Sequence, residues 1–505
     1  MKIRRRRKTR RFSADRVRTL VAEGPVEGTS PLRYERLCVA VLAALAIALL
    51  AGMGRRPGEF LAASGATGTL LGLGAIYLLR YQRECFADLR RLLTLVLVAV
   101  ALGGAAQLAR GGPATLANLL PIPLAALLLS IVFSPRLAIE VTALLTLLAA
   151  LTIGPREDLV LVLVVLFAGA VLGALSATRV RKRSTLVRVG LVVGLFMALL
   201  HFTLVVAIGG VAVYEWNLRG GIALGHGVIS GFLLTGLLPA IEHLTGTVTD
   251  IRLLELSNQN EQPLLRRLLL TAPGTHHHSF VVGTLAESAA EAIGAHALLC
   301  RVGAYYHDIG KMNKPEYFSE NSVEARIKHS GLSPEMSTLV ITAHPKDGLE
   351  LADYYGLPEP LKAFIAEHHG TTAVEYFYQK ALEQRGEVAR DAYRYAGPRP
   401  QSRETAILML ADSVEASSRT LRDPTPARIE ALIDEIVRMK MEDGQLDDCQ
   451  LTMRELNKIK EAFLQVLLGI YHYRPSYPRT VAGAASPDDS QRRTSSGMQP
   501  VGWTD

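Results

Sequence analysis

The sequence predicts an all-α protein in two parts, a polytopic helical membrane domain followed by an all-helical soluble domain. Three observations predict it. Hydrophobic residues make up 49% of the 505 and charged residues 20%, yet the two classes are segregated: 37–243 is mostly Leu, Val, Ala and Gly, while 244–475 carries most of the acids and histidines. Apolar residues in the second part recur at helical spacing, and no comparable alternation marks a strand ladder. Histidines and aspartates in that part fall on the inward faces or last turns of successive helical segments.

Residues 1–36 read as a basic cytoplasmic tail containing "KIRRRRKTRR". Such a run binds nucleic acid or holds the cytoplasmic end of a membrane protein. Apolar segments follow it, so the expected partner is the lipid bilayer and no nucleic acid polymer is expected. A spanning helix needs about 20 apolar residues. Within the 37–243 transmembrane domain, about eight segments qualify: 37–54, 60–79, 92–109, 115–133, 137–153, 159–177, 189–212 and 222–241. The second is rich in Gly, Ser and Thr, and the fourth contains Pro121 and Pro123, which a packed membrane helix tolerates. The first reads as an uncleaved anchor, because "GMGRRPGEF" lacks a small-residue cleavage site.

Loop charges orient the block. With the N-terminus inside, ten basic residues fall in interior loops and five (Arg55, Arg56, Arg110, Arg156, Arg219) in exterior ones. The positive-inside rule then puts both termini, and the soluble domain, in the cytoplasm of a multi-pass protein of the inner (cytoplasmic) membrane. His201 and His226 inside the spans read as neutral packing residues hydrogen-bonded between helices. Four scattered cysteines exclude a disulfide framework and a zinc knuckle.

Residues 244–275 read as a juxtamembrane connector, with a turn at Pro273-Gly274, and 478–505 as a disordered tail. Between them, 276–477 is helical throughout. His278 shares a stripe with Val281, Val282, Leu285 and Ala289. His307 and Asp308 follow "AYY"; His344 precedes a proline; His368 and His369 precede Gly370, a plausible helix stop; Asp412 lies on the apolar face of "RETAILMLADSVEASSRT". A buried imidazole or carboxylate is costly unless it is paired, protonated or metal-bound. Seven together suggest a shared ligand set for two ions rather than one. Imidazole and carboxylate suit Fe, Mn or Zn, and two divalent ions, Fe or Mn, are expected. Asp308, beside His307, is the natural bridge between them. A metal pair suits displacement at a phosphate, and Lys311, one turn on, can neutralise a phosphate oxygen or assist a leaving group.

The blocks "HSFVVGTLAE", "YYHDIGK", "TAHPKDGLELA", "EHHGTT" and "LADSVEASSR" resemble the HD-domain phosphohydrolases. They are most similar to the PgpH-type branch, membrane receptors with an intracellular HD domain that hydrolyse cyclic di-AMP. The resemblance runs over about 244–477, with the membrane block in general form, and "YYHDIGK" carries the HDIG motif. It implies that His278, His307, Asp308 and Asp412 hold one metal and Asp308, His344, His368 and His369 the other, with Asp308 and Lys311 catalytic. His276 and His277 would be surface residues. The branch that cleaves cyclic di-GMP has Gly-Tyr-Pro after its His pair, where this chain has "HHGTTAVEYFY".

Two stretches depart from the family. "RRPGEFL" stands where the family has a large extracellular domain, and "IKHS" where it has Asn-x-His-Asp. The implied function is membrane-anchored phosphodiesterase signalling, converting cyclic di-AMP to linear pApA, with a homodimer among the expected assemblies. The alternatives are an HD hydrolase of another nucleotide or cyclic dinucleotide, and a non-catalytic nucleotide-binding membrane receptor. Asp412, Glu415 and Arg419 share one helix face. Arg419, about 10 Å from Asp412 along the axis, would either bind the substrate's second phosphate or pair with Glu415.

Overall fold

The structure, a computed structural model, describes residues 34–82, 89–156, 158–178, 180–208 and 213–471. The tail 478–505 and most of the basic tail lie outside the described residues. Helices dominate, and the described residues form no strand, only an isolated bridge between Ala373 and Arg394.

The membrane part comprises α1 (Tyr34–Gly52), α2 (Pro57–Tyr81), α3 (Leu89–Gly111), a short 3-10 segment (Ala114–Leu119), α4 (Ile122–Val132), α5 (Pro135–Ile153), α6 (Leu159–Ser176), α7 (Arg183–Ile208) and α8 (Val213–Thr245). Among the described residues seven stretches are long and apolar enough to cross a membrane, and α1 contributes a shorter apolar run, Val39–Gly52. Pro121 caps α4, so the prolines of the fourth segment start a helix rather than kink one. Helices α7 and α8 meet backbone to backbone. A Cβ on Gly190 would lie 2.5 Å from the Gly227 carbonyl oxygen, and one on Gly227 would lie 2.3 Å from the Gly194 nitrogen. Small residues permit this approach in lipid, where van der Waals packing must replace the hydrophobic drive. His201 and His226 are buried, as packing residues are, and one ring nitrogen of each, His201 Nε2 and His226 Nδ1, has no hydrogen-bond partner among the described residues.

The segment 244–275 is more than a tether. It holds α9 (Asp250–Ser257) and α10 (Pro263–Thr271), whose Leu253, Leu256, Leu264, Leu265 and Leu268 share a core with Val302, Tyr306 and Ile309. Arg183, at the start of α7, reaches Glu255 of α9 at 2.8 Å and so fastens this layer to the membrane block.

The soluble part continues with α11 (Pro273–Ile293), α12 (Ala297–Tyr306), α13 (Ala325–Ser330), α14 (Pro334–Thr342), α15 (His344–Tyr354), α16 (Glu359–Glu367), α17 (Glu375–Arg385), α18 (Arg403–Ser418), α19 (Pro426–Glu442) and α20 (Met453–Ile470). Pro273 occupies the first turn of α11 rather than a preceding turn, where its missing N–H costs nothing. Val282, Leu285, Ala286 and Ala289 of α11 pack with Ile407, Leu410 and Val414 of α18 and with Ile459 and Phe463 of α20 in a second core. Helix α11 and the end of α12 thus place His278, His307 and Asp308 between two apolar masses.

Candidate metal centre

Each element ends, bends or turns its polar face where a candidate ligand stands. His278 occupies the second turn of α11, on the face that buries Val282 and Leu285. Helix α12 closes with Tyr306, fully buried, its hydroxyl donating to the Leu256 carbonyl at 2.7 Å. His307 caps that helix, and Asp308 opens a tight 3-10 turn, Ile309–Asn313. The turn needs Gly310: a Cβ there would sit 1.9 Å from the His344 carbonyl oxygen. His344 starts α15 at the break after α14. His368 caps α16, and Gly370, at φ +53°, turns the chain away after His369. Asp412 lies in the middle of α18.

These seven residues converge in two groups that share Asp308. One is His278, His307, Asp308 and Asp412; the other is Asp308, His344, His368 and His369; within each, one donor atom per residue lies within 4.8 Å of the others. The two Asp308 oxygens divide between the groups. Oδ1 lies 3.2 Å from His344 Nε2 and 3.5 Å from His368 Nε2. Oδ2 lies 3.1 Å from His307 Nε2 and 3.6 Å from His278 Nε2. Asp412 also spans the groups, with Oδ1 at 3.0 Å from His278 Nε2 and Oδ2 at 3.7 Å from His369 Nδ1.

The donor chemistry fits divalent metal ions. His307 Nδ1–H donates to the Ala304 carbonyl at 2.7 Å, His344 Nδ1–H to Ile341 at 2.7 Å and His368 Nδ1–H to Ile365 at 3.0 Å. A carbonyl only accepts, so these bonds fix the proton on Nδ1 and turn Nε2 inward as a ligand atom. His344 Nε2 and His368 Nε2 then face each other at 3.1 Å, an arrangement that needs a cation or a proton beside it. His307 Nε2 and both Asp308 oxygens are buried without an aligned hydrogen bond among the described residues, although Lys311 Nζ lies 2.7 Å from Oδ2. Buried polar atoms of this kind mark places for an ion.

Electrostatics separate the groups. Burial opposes charge on Asp308, but His307 and Lys311 hold its carboxyl well below the usual range. Burial likewise opposes charge on Asp412, but the hydrogen bond with His278 and the nearby His307 and His369 keep the carboxyl low. Burial depresses His307, yet Asp308 and Asp412 raise it to about 10. His368 goes the other way, lowered to about 4 chiefly by burial. Burial and the neighbouring His368 depress His369.

Lys311 is pinned between two carboxylates, 2.7 Å from Asp308 Oδ2 and 2.8 Å from Glu320 Oε1. Burial lowers its pKa, but those two carboxylates raise it further, so its ammonium stays charged. Glu320, in the loop before α13, carried no signal in the sequence. Glu415 was legible only as a partner for Arg419. The structure gives it two roles: Oε2 accepts from His278 Nδ1 at 2.5 Å, and Oε1 accepts from Arg419 Nε at 2.7 Å. Arg419 is thus held against Glu415. His277 is exposed as expected, but His276 is buried against Phe280, ring centroids 4.9 Å apart; it lies one turn before Ser279 and Phe280 on the packed side of α11. Among the seven ligand candidates His369 is the most open, with 20% of its side chain exposed, and Tyr395 stacks on it at 4.2 Å.

Known proteins carry the same arrangement of sequence. The family described as 7TM receptor with intracellular HD hydrolase matches residues 58–249, and the HD domain matches 275–417. The cyclic-di-AMP phosphodiesterase PgpH of Bacillus subtilis is 43% identical over 292 residues, covering 56% of this chain and 41% of that protein. PgpH of Listeria monocytogenes is 38% identical over 375 residues, covering 72% of this chain and 51% of that protein. The chain thus spans about half or less of the length of these relatives. The solved HD domain of L. monocytogenes PgpH in complex with cyclic-di-AMP is 45% identical, covers 43% of this chain and all of that one, and superposes with a TM-score of 0.41. With a multi-pass membrane block joined to an HD domain in the same order, the chain belongs to the family of 7TM receptors with an intracellular HD hydrolase.

Proposed function

We propose that the chain is a membrane-anchored, metal-dependent phosphodiesterase that opens cyclic di-AMP to linear pApA in second-messenger signalling. The observation that supports it is the division of the Asp308 oxygens between two histidine groups. The substrate reading rests on the two PgpH relatives, which are cyclic-di-AMP phosphodiesterases. His278, His307, Asp308 and Asp412 would hold one ion and Asp308, His344, His368 and His369 the other, with iron or manganese suited to the imidazole and carboxylate donors. When bound, a divalent pair supplies Lewis acidity at a phosphoryl oxygen and a nucleophile from water at neutral pH.

The chain's own residues prepare that chemistry. Asp308 and Asp412 orient both histidine groups. Glu415 fixes the His278 ring, and Lys311 balances the charge on Asp308. Lys311 is bound to two carboxylates and stays charged, so it acts by holding Asp308 in place rather than by giving a proton to the leaving group. In the net reaction water adds to phosphorus, the P–O3′ bond breaks, and the 3′ oxygen leaves carrying a proton. Ten interior against five exterior basic loop residues support a cytoplasmic HD domain in an inner-membrane protein.

The test is product chromatography on the purified full chain, supplied with Mn(II) or Fe(II) and offered cyclic di-AMP, cyclic di-GMP and a nitrophenyl phosphodiester. The expected product is pApA, with cyclic di-AMP turned over fastest. Two bound ions and no turnover of any of the three would sink the enzymatic reading.

A further inference from the structure

The end of the membrane block remote from the HD domain carries three arginines in a closed cycle. Arg55, just past α1, donates from Nη2 to the Leu151 and Thr152 carbonyls at the end of α5, at 2.6 and 2.7 Å. Arg156, just past α5, donates to the Arg110 and Gly112 carbonyls at the end of α3, at 2.8 and 3.2 Å. Arg110, at the end of α3, donates to the Met53 carbonyl and, at 2.8 Å, to the Gly54 carbonyl past α1. Each helix C-terminus thus receives the guanidinium of the next.

Capping explains where the side chains sit but leaves their charge unbalanced. A helix C-terminus offers about half a negative charge, so three termini offset only about half of three full positive charges. No carboxylate of the described residues forms an ion pair with any of the three, and nearby Asp158 is taken by Arg219 at 2.7 Å. Arg55 Nε and Arg156 Nη1 are buried without an acceptor among the described residues. Both side chains line one cavity of 770 Å³, whose remaining wall is largely apolar and includes Leu151, Leu159 and Val160. Val160 is 73% exposed at the start of α6, a helix long and apolar enough to cross a membrane.

We propose that this cavity is a site for the phosphate headgroup of an anionic phospholipid. The arginines meet the phosphate with charge-assisted hydrogen bonds, and Leu151, Leu159 and Val160 meet the first methylenes of its tails. A free phosphate would satisfy the guanidinium groups but leave that apolar wall without a partner, which is why the lipid is the occupant assigned.

The test is native mass spectrometry of the full chain, delipidated in neutral detergent and titrated with phosphatidylglycerol, phosphatidylcholine or inorganic phosphate. Phosphatidylglycerol should be retained about tenfold more tightly than phosphatidylcholine, the scale of one charge-assisted bond pair. Arg156→Gln should bring the two lipids to parity. That change also removes a helix cap, so Val160→Trp serves beside it: it fills the cavity, stays apolar toward lipid and leaves all three arginines in place, and it too should abolish the preference. Equal retention of both lipids by the unaltered chain would overturn the proposal. So would a Val160→Trp chain that keeps the preference, or displacement of bound phosphatidylglycerol by inorganic phosphate at equal concentration.

Discussion

The two histidine groups share Asp308 but differ in what surrounds their imidazoles. Around His278 and His307 the neighbours are carboxylates: Asp412, Asp308 and, behind His278, Glu415. Around His344 and His368 the only carboxylate of the described residues is Asp308, and behind them, as behind His307, stand backbone carbonyls. Several carboxylates around one imidazole favour its charged form, and burial with few of them favours the neutral form. Before any ion arrives, the first group is therefore a network of protonated rings and ionised acids, while His368 and His369 stand neutral. One half must exchange protons for a cation, and the other is ready to coordinate.

The largest effect expected is on the shared residue. Asp308→Ala should cost at least about three orders of magnitude in turnover, the scale seen when a residue that works as a unit with its partners is lost. Metal analysis should show both ions depleted. A variant that keeps two ions and full turnover would mean that the groups are independent and Asp308 is no bridge.

Acidity separates the groups next. His307 keeps its proton up to about pH 10, so an ion entering the first group must displace it. Affinity there should rise about tenfold per pH unit for each proton released, about a hundredfold from pH 6 to pH 8. The second group should rise less steeply, because His368 is already neutral above about 4 and His369 is depressed as well. Competition with a metal-sensitive dye across pH would show two slopes; one common slope would erase the distinction. In the metal-free protein the same shifts act on stability. The raised His307 contributes stability that is whole below its ordinary value of 6.5 and is lost as pH rises toward 10. The depressed Asp308 and Asp412 contribute above their ordinary value of 3.8, and that contribution is lost on acidification.

Behind the first group, Glu415→Gln should weaken its metal affinity by about 10- to 100-fold, as loss of a ligand's orienting partner does, while the second group keeps its ion. Equal weakening of both would place Glu415 in general folding rather than behind His278.

How far this centre is legible in the sequence depends on the kind of signal. The membrane helices follow from hydropathy, because lipid demands long apolar runs. The seven candidate ligands stood out because polar side chains recur where apolar helices end, and Gly310 and Gly370 punctuate the turns that present two of the sets. The supporting residues did not stand out. Glu320 reaches Lys311 from a loop nine residues away, with no periodicity to reveal it. The leucines of 250–271 have helical spacing, but no pattern tells that their core is shared with Val302 and Ile309. His276 lies beside a ligand in a run of three histidines, and only the packing of Phe280 shows which of them are buried. The division of Asp308 between its oxygens is a matter of side-chain rotation, which spacing does not encode.

The smallest effect concerns Arg419, which sequence spacing left open between a substrate phosphate and Glu415. In the structure its Nε and Nη2 both approach Glu415 Oε1, while Glu415 Oε2 takes the His278 Nδ1 proton. Glu415 is buried, with a side chain only 4% exposed, whereas that of Arg419 is 38% exposed. The pair is therefore half-screened, and its loss should be worth a fraction of a buried one. Acting through Glu415, Arg419→Gln should lower metal affinity of the first group about two- to fivefold, the scale of a partly exposed pair. It should then slow cyclic di-AMP and a nitrophenyl phosphodiester by the same factor, and saturating metal should restore both. A direct hold on a second phosphate predicts the opposite pattern: metal binding unchanged, KM raised for the cyclic dinucleotide alone, and no rescue by added metal. Measuring KM on both substrates at two metal concentrations decides between them, and a rise confined to the cyclic dinucleotide would move Arg419 from the support of His278 to the substrate itself.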